Sequence, residues 1–365
     1  MTAPRLEIDL DKIRHNARRL VELLAPKGIA VTGVTKATLG SPAVAEAMLR
    51  GGVSGLGDSR IENLETLRNA SVPAPRTLIR SPMPTQAATV VALAHTSLNS
   101  ELVVIDRLSI AAVEQRAIHA VVLMVELGDL REGVLAGDLL DLVRETLRRP
   151  NISLAGLGTN LACQSGVAPD EHKMAELSEL VERVEATFGV ELAIVSGGNS
   201  ANLDWALASA DVGRINDLRL GESILLGREP LHHRPLSGLH TDAFTLVAEV
   251  IEAKVKPSQP WGEIARSAFG ELPSHVGTGD VRQSILAIGR QDVDPDGLAV
   301  PPGTRILGTS SDHLVVDTGD VAREVGEELQ FDVDYSALVR AMTSPFVAKV
   351  FRPSTLTPST LTPCS

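Results

Sequence analysis

Between residues 29 and 220 the chain repeats one pattern, a short apolar run of strand character followed by a stretch with helical spacing. The runs are "IAVTGVTK" (29–36), "VSGLGDS" (53–59), "RTLIRSP" (76–82), "TSLNS" (96–100), "AVVLMVEL" (120–127), "ISLAGLGTN" (152–160), "LAIVSGG" (192–198) and "RINDLRL" (214–220), eight in all. Between them lie amphipathic segments such as "LLDLVRETLRR" (139–149) and "HKMAELSELVERVEATF" (172–188), and "LDKIRHNARRLVELL" (10–24) precedes the first run. Apolar strands separated by amphipathic helices indicate a parallel sheet. Eight such units predict a (β/α)8 TIM barrel, with an open doubly wound sheet as the rival α/β arrangement.

After "PLHHRPLSGLHTD" (230–242) the character changes. "FTLVAEVIEAKV" (244–255), "QSILAIG" (283–289), "TRILGTSSDHLVVD" (304–317) and "ELQFDVD" (328–334) alternate like strands, with Pro and Gly turns between them. The expected organisation is a barrel over 11–232 and a β-rich domain over 233–352. The early "RLEIDL" (5–10) adds a strand to the second domain. The tail 353–365, in which "STLTP" occurs twice, cannot bury a core and is expected to be disordered.

Composition narrows the function. A net charge of −12 argues against a nucleic-acid surface, because phosphate contacts need clustered Lys and Arg. No apolar run approaches the roughly 18 residues of a membrane helix, and no secretory leader is evident, so a cytoplasmic protein is expected. The two cysteines, Cys163 and Cys364, are read as free.

A barrel places its chemistry at the C-terminal ends of its strands, and Lys36 ends the first run. A lone lysine there could equally be leaving the barrel for solvent. "IVSGGNSANL" (194–203) follows the seventh run with two glycines, Asn199 and Ser200, a turn suited to holding phosphate or simply to capping a helix. "LRLGESILLG" (218–227) follows the eighth with Gly221 and Glu222 at a helix start. Barrels frequently bind phosphate after strands seven and eight, while no Walker A or G-x-G-x-x-G pattern points to a nucleotide. A lysine at the first strand and a phosphate cup at the last two become neighbours on closure, a pairing that suggests pyridoxal phosphate bound on Lys36.

On these anchors, together with "GDSRIEN" (57–63), "LGDLREG" (127–133) and "GTSSDHLVVD" (308–317), the chain resembles fold-type III pyridoxal-phosphate enzymes, the alanine racemase family. The likeness is greatest to its ornithine or broad-specificity amino-acid racemase branch and covers about residues 5 to 350. The resemblance implies pyridoxal 5'-phosphate as cofactor and Lys36 as its anchor and as the proton carrier on one face of the substrate Cα. It implies Ser200, with Ser196, Asn199 and the backbone of Gly221 and Glu222, around the phosphate. It sets Arg219 opposite the pyridine nitrogen, Arg131 near the phenolic oxygen and Asn160 where relatives stack a His on the ring. A guanidinium holds its proton, so the ring nitrogen beside it stays unprotonated, which favours racemisation over transamination. A small-molecule amino acid is the implied partner, and a head-to-tail homodimer the implied assembly.

The departures are specific. Leu39 stands where alanine racemases carry a Tyr, Met124 where a lysine sits, and Arg290 where the partner subunit supplies a tyrosine acid/base. The sole tyrosine, Tyr335, is far downstream. Candidates for the opposite-face acid/base are Asp292, Asp312 and His313, with Asp292 or Asp312 also able to pair with a cationic side chain. Two other readings stand beside the racemase. One is an aldolase or dehydratase of the same fold, which needs a metal in the second domain; the other is a non-enzymatic pyridoxal-phosphate carrier, which is a lone barrel.

Overall fold

The computed structural model describes residues 2–266, 269–270 and 278–352, so the tail 353–365 and Cys364 lie outside the described residues. The chain divides into two compact units, Asp11–Thr241 and Met1–Leu10 with Asp242–Ser365.

In the first unit, eight parallel strands close a barrel: β2 (Ala30–Val34), β3 (Gly55–Asp58), β4 (Arg76–Leu78), β5 (Thr96–Asn99), β6 (His119–Met124), β7 (Ile152–Gly158), β8 (Ile194–Gly198) and β9 (Asp217–Leu220). The preceding β1 (Arg5–Asp9) belongs to the other unit. Closure is made by β2 against β9, with Thr32 opposite Arg219. Leu98, Val122 and Met124 pack as one cluster with Ile79, Ala155 and Ile194. Met124 is thus core, and its thioether fills apolar space.

The helices form because their apolar residues recur at helical spacing. In Leu10–Leu24 the buried face is Ile13, Ala17, Leu20 and Leu24. Glu171–Phe188 buries Met174, Leu177, Val181 and Val184; Asp170 caps its start by accepting from Lys173 N at 2.8 Å, and Gly189 ends it at φ 66°. The barrel unit runs on past residue 232 to Thr241. Residues 233–241 are tied into it: Asn16 Nδ2 donates to His240 O at 2.8 Å, its Oδ1 accepts from His240 N at 2.8 Å, and Leu236 N donates to Gly227 O.

The second unit is a sheet in the order β12 (Leu298–Ala299), β15 (Glu328–Val333), β10 (Phe244–Pro257), β11 (Asp280–Leu286), β14 (Leu314–Asp317), β13 (Arg305–Thr309). β1 pairs antiparallel with β10 and parallel with β16 (Ala348–Arg352), so residues 5–9 do join the C-terminal sheet. Two details depart from the sequence pattern. The run 304–317 is a hairpin that turns at Ser310–His313, where Ser310 N donates to His313 O. A helix, Tyr335–Thr343, stands among the strands, capped by the Asp334 carboxylate on Ala337 N at 2.9 Å.

Candidate active site

β2 delivers Lys36 to the C-terminal mouth of the barrel, where it opens a 3-10 turn Lys36–Thr38 with its side chain exposed. The neighbour that fixes the turn is buried: Thr35 Oγ1 donates to Asp58 Oδ2 at 2.8 Å, and Asp58 Oδ1 accepts from Arg60 N and Asn63 Nδ2, both at 2.9 Å. Burial raises the Asp58 pKa above the usual carboxylate range, although these donors oppose it. The Asn63 side chain and the Arg60 backbone thus brace Asp58. Leu39 ends the turn in the left-handed region at φ 53°, 41% exposed, and presents no polar group. Gly40, at φ 62°, lies against Asn63, where a Cβ would come within 2.7 Å of Asn63 O.

Arg219 is the buried cation of the site, 5% exposed. Nη1 donates to Ser196 Oγ, and Nη2 to Thr159 O at 2.9 Å and Asn160 Oδ1 at 3.3 Å. Desolvation pulls its pKa down, and the charges of Asp217 and Glu132 oppose the shift. A guanidinium starts so far above neutrality that it stays protonated. Asn160 accepts through Oδ1, and its buried Nδ2 has no partner among the described residues.

β8 and β9 end in turns that meet. Ser200 and Ser223, both buried, bring their hydroxyls to 3.0 Å, and Ser223 N donates to Ser200 Oγ at 3.3 Å. Gly221 lies so close to Val34 that a Cβ would sit 3.2 Å from Val34 Cβ. Asn199 is occupied by the turn itself: Oδ1 accepts from Ala201 N at 2.8 Å, and Nδ2 donates to Leu161 O at 2.8 Å and to Cys163 Sγ at 3.4 Å. Ser196 lies below, bonded to Arg219 and Asp217. Glu222 opens the helix Glu222–Leu226. Sequence reasoning passed over Ser223, and also Asn202, which is buried and closes a capping box with Asn199.

Arg131, from the loop after β6, pairs with Glu132: Nη2 donates to Oε1 at 2.7 Å and Nε to Oε2. Desolvation would lower its pKa, but this pairing wins and the pKa is raised. Asp129 is buried, taking N–H donors from Cys163, Gln164 and Ser165.

In the second unit, Asp292 is 4% exposed, accepting from Ser344 Oγ at 2.7 Å and from Gly289 N at 3.4 Å. It braces a turn, with its carboxylate largely shielded from solvent. Asp312 is exposed and His313 half-buried at the hairpin turn, with His313 Nδ1 2.9 Å from Asp312 Oδ1. The hydrogen bond from His313 is the largest influence lowering the Asp312 pKa. Arg290 Nε donates to Thr309 Oγ1 at 2.9 Å, and the guanidinium lies 5.1 Å from the Phe269 ring centroid.

The donor set tests a pyridoxal-phosphate reading directly. An exposed ammonium, a buried guanidinium whose Nε has no partner among the described residues, an orphaned amide N–H and two buried hydroxyls ring one strand-end mouth. These are groups for an anionic, nitrogen-bearing ligand.

Residues 8–228 match the family described as "Alanine racemase, N-terminal domain". The lysine racemase of Thermotoga maritima is 38% identical over 97% of this chain and 100% of its own length. The ornithine racemase of Acetoanaerobium sticklandii is 36% identical over 95% of this chain and 99% of its own. Among solved structures, the alanine racemase from D-cycloserine-producing Streptomyces lavendulae superposes with a TM-score of 0.76 at 20% identity, covering 97% of this chain and 98% of that one. The D-threonine aldolase from Filomicrobium marinum gives 0.72 at 17%, covering 93% and 88%. At such identities the two structures share the fold alone.

Proposed function

This chain belongs to the alanine racemase family, and we propose that its amino-acid racemase activity is directed at ornithine or lysine, with pyridoxal 5'-phosphate as cofactor. The near-full-length similarity to a lysine and an ornithine racemase supports the substrate class. The observation that carries the chemistry is Arg219, a buried guanidinium held by Ser196 and Thr159, with no partner on Nε among the described residues.

When bound, pyridoxal phosphate withdraws electrons and loosens the proton on the substrate Cα. Lys36 holds the cofactor, and its Nζ carries a proton to and from one face of Cα. Ser200, Ser223 and the backbone at Gly221 take the phosphate. Asn160 offers its orphaned Nδ2 to the ring and Arg131 its guanidinium to the phenolic oxygen. Arg219 cannot give up its proton, so it offers no acid to a ring nitrogen beside it. A ring nitrogen left unprotonated in this way would draw charge only weakly from Cα and so favour return of the proton to it.

For the opposite face, His313 of a partner copy in a head-to-tail homodimer is the proposed acid/base. With Nδ1–H donating to Asp312, Nε2 is left to accept a proton. The aldolase and dehydratase readings draw support only from shared fold, whereas the sequence relatives at 36–38% identity are racemases.

The test incubates purified protein and pyridoxal phosphate with single L-amino acids in deuterated water, with and without chelator. Chirality and Cα deuterium are followed by chiral chromatography and mass spectrometry. Deuterium at Cα with inversion of ornithine or lysine is expected, and Lys36→Ala should abolish both the inversion and the absorbance of the lysine-bound cofactor. Carbon–carbon cleavage that the chelator abolishes would overturn the reading.

A further inference from the structure

The loop that carries Arg131 and Glu132 is fixed from both ends. Glu126 N donates to Val134 O at 3.0 Å, Val134 N to Met124 O at 2.8 Å, and the Glu126 carboxylate accepts from Gly128 N and Arg131 N. Gly133, at φ 146°, lies so close to Glu126 that a Cβ would fall 2.4 Å from its nitrogen. Glu132 is therefore placed by the fold, at 23% side-chain exposure, and its charge is felt at buried Arg219.

Its partner sets it apart from three other carboxylates of the barrel unit. Asp217 takes Thr32 and Ser196, Asp58 takes Thr35, Asn63 and a backbone N–H, and Asp129 takes backbone N–H groups. Those donors are neutral and built into the barrel. Glu132 is held by the exposed Arg131, a cation that an incoming anionic ligand competes for.

We propose that Glu132 is a specificity-determining residue: as Arg131 turns to an anionic group of the bound reactants, Glu132 takes the terminal ammonium of ornithine or lysine. The exchange conserves charge pairing, because the cofactor's phenolic oxygen takes the place of Glu132 on Arg131 and the substrate's terminal ammonium takes the place of Arg131 on Glu132. A neutral side chain leaves Glu132 half-buried and uncompensated, which selects against it. The inference rests on the racemase reading above and names the residue behind its substrate class.

The experiment measures kcat and KM for L-ornithine and for L-norvaline, which lacks the terminal amine, in the wild type, Glu132→Gln and Glu132→Asp. The ratio of kcat/KM for ornithine over norvaline is expected to fall by about 30-fold or more in Glu132→Gln, mainly through KM, and to recover partly in Glu132→Asp. An equal fall for both substrates would show that Glu132 only supports Arg131 and would overturn the assignment. So would a Glu132→Gln protein that folds but loses the cofactor absorbance, since that places Glu132 in cofactor binding. Failure of the underlying reading looks different: the wild type itself would racemise neutral amino acids and leave ornithine and lysine untouched.

Discussion

Arg219 and Asp217, two residues apart on β9, are joined through the hydroxyl of Ser196. Arg219 Nη1 donates to Ser196 Oγ, and that hydroxyl donates to Asp217 Oδ2 at 2.5 Å, while Thr32 Oγ1 fills Asp217 Oδ1 at 2.7 Å. Residues at i and i+2 share a strand face, so β9 aims a cation and an anion to the same side and β8 supplies the bridge. The guanidinium plane is then set by two fixed acceptors, Ser196 Oγ and Thr159 O, which leaves Nε for a ligand.

Ser196→Ala removes the bridge and leaves a part-buried carboxylate oxygen and a buried N–H short of a partner. A loss of about 1–3 kcal/mol in folding stability is expected, read by denaturant titration, together with weaker cofactor binding. Unchanged stability would mean that water replaces the hydroxyl.

Arg219→Lys keeps the charge but replaces a planar fork with a single ammonium, which cannot hold Ser196 and Thr159 and still face outward. A fall in kcat/KM of roughly 100-fold is expected, larger than the fall in cofactor affinity measured by absorbance titration.

Gly198 sits at φ 143°, and a Cβ there would fall 2.1 Å from Asn202 Oδ1. Asn202 in turn accepts from Asn199 N at 3.1 Å and donates to Gly197 O at 2.9 Å. Gly198→Ala is expected to break this capping box, to lower stability by about 1–3 kcal/mol, and to weaken binding of pyridoxal phosphate. Asn202→Ala should do the same through the lost bonds alone, and titration of the apoprotein with cofactor measures both.

Much of this was legible before any coordinates. The barrel strands announce themselves because a strand covered on both faces is apolar along its length, and Lys36, Ser200 and Arg219 gain meaning from where those strands end. Ser223 was not legible as a partner of Ser200, since their contact spans 23 residues and exists only once β8 and β9 lie side by side. Asp292 looked chemically available because alternation says nothing about one carboxylate, whereas packing buries it on Ser344. The helix at 335–343 carried a signal that was missed: Asp334 three residues before Ala337, an N-cap spacing. The sharp turn at Ser310–His313 was hidden inside one apolar-flanked run.

His119 sets a pH limit on the barrel. It is 1% exposed at the start of β6, and its Nε2 lies 2.8 Å from Ser97 Oγ, which also accepts from Asn99 Nδ2 at 3.0 Å. Burial pushes its pKa down to about 4 from an ordinary 6.5. The folded protein therefore holds His119 neutral where the unfolded chain binds a proton. Stability from this group is fully present above pH 6.5 and is lost as pH falls toward 4, amounting to roughly 2 kcal/mol at pH 5. Denaturant titrations of the wild type and of His119→Gln at pH 7.5 and pH 5 isolate the effect, because glutamine can accept from Ser97 without titrating. The variant is expected to lose less stability on acidification than the wild type, and equal losses would mean that other groups set the acid limit.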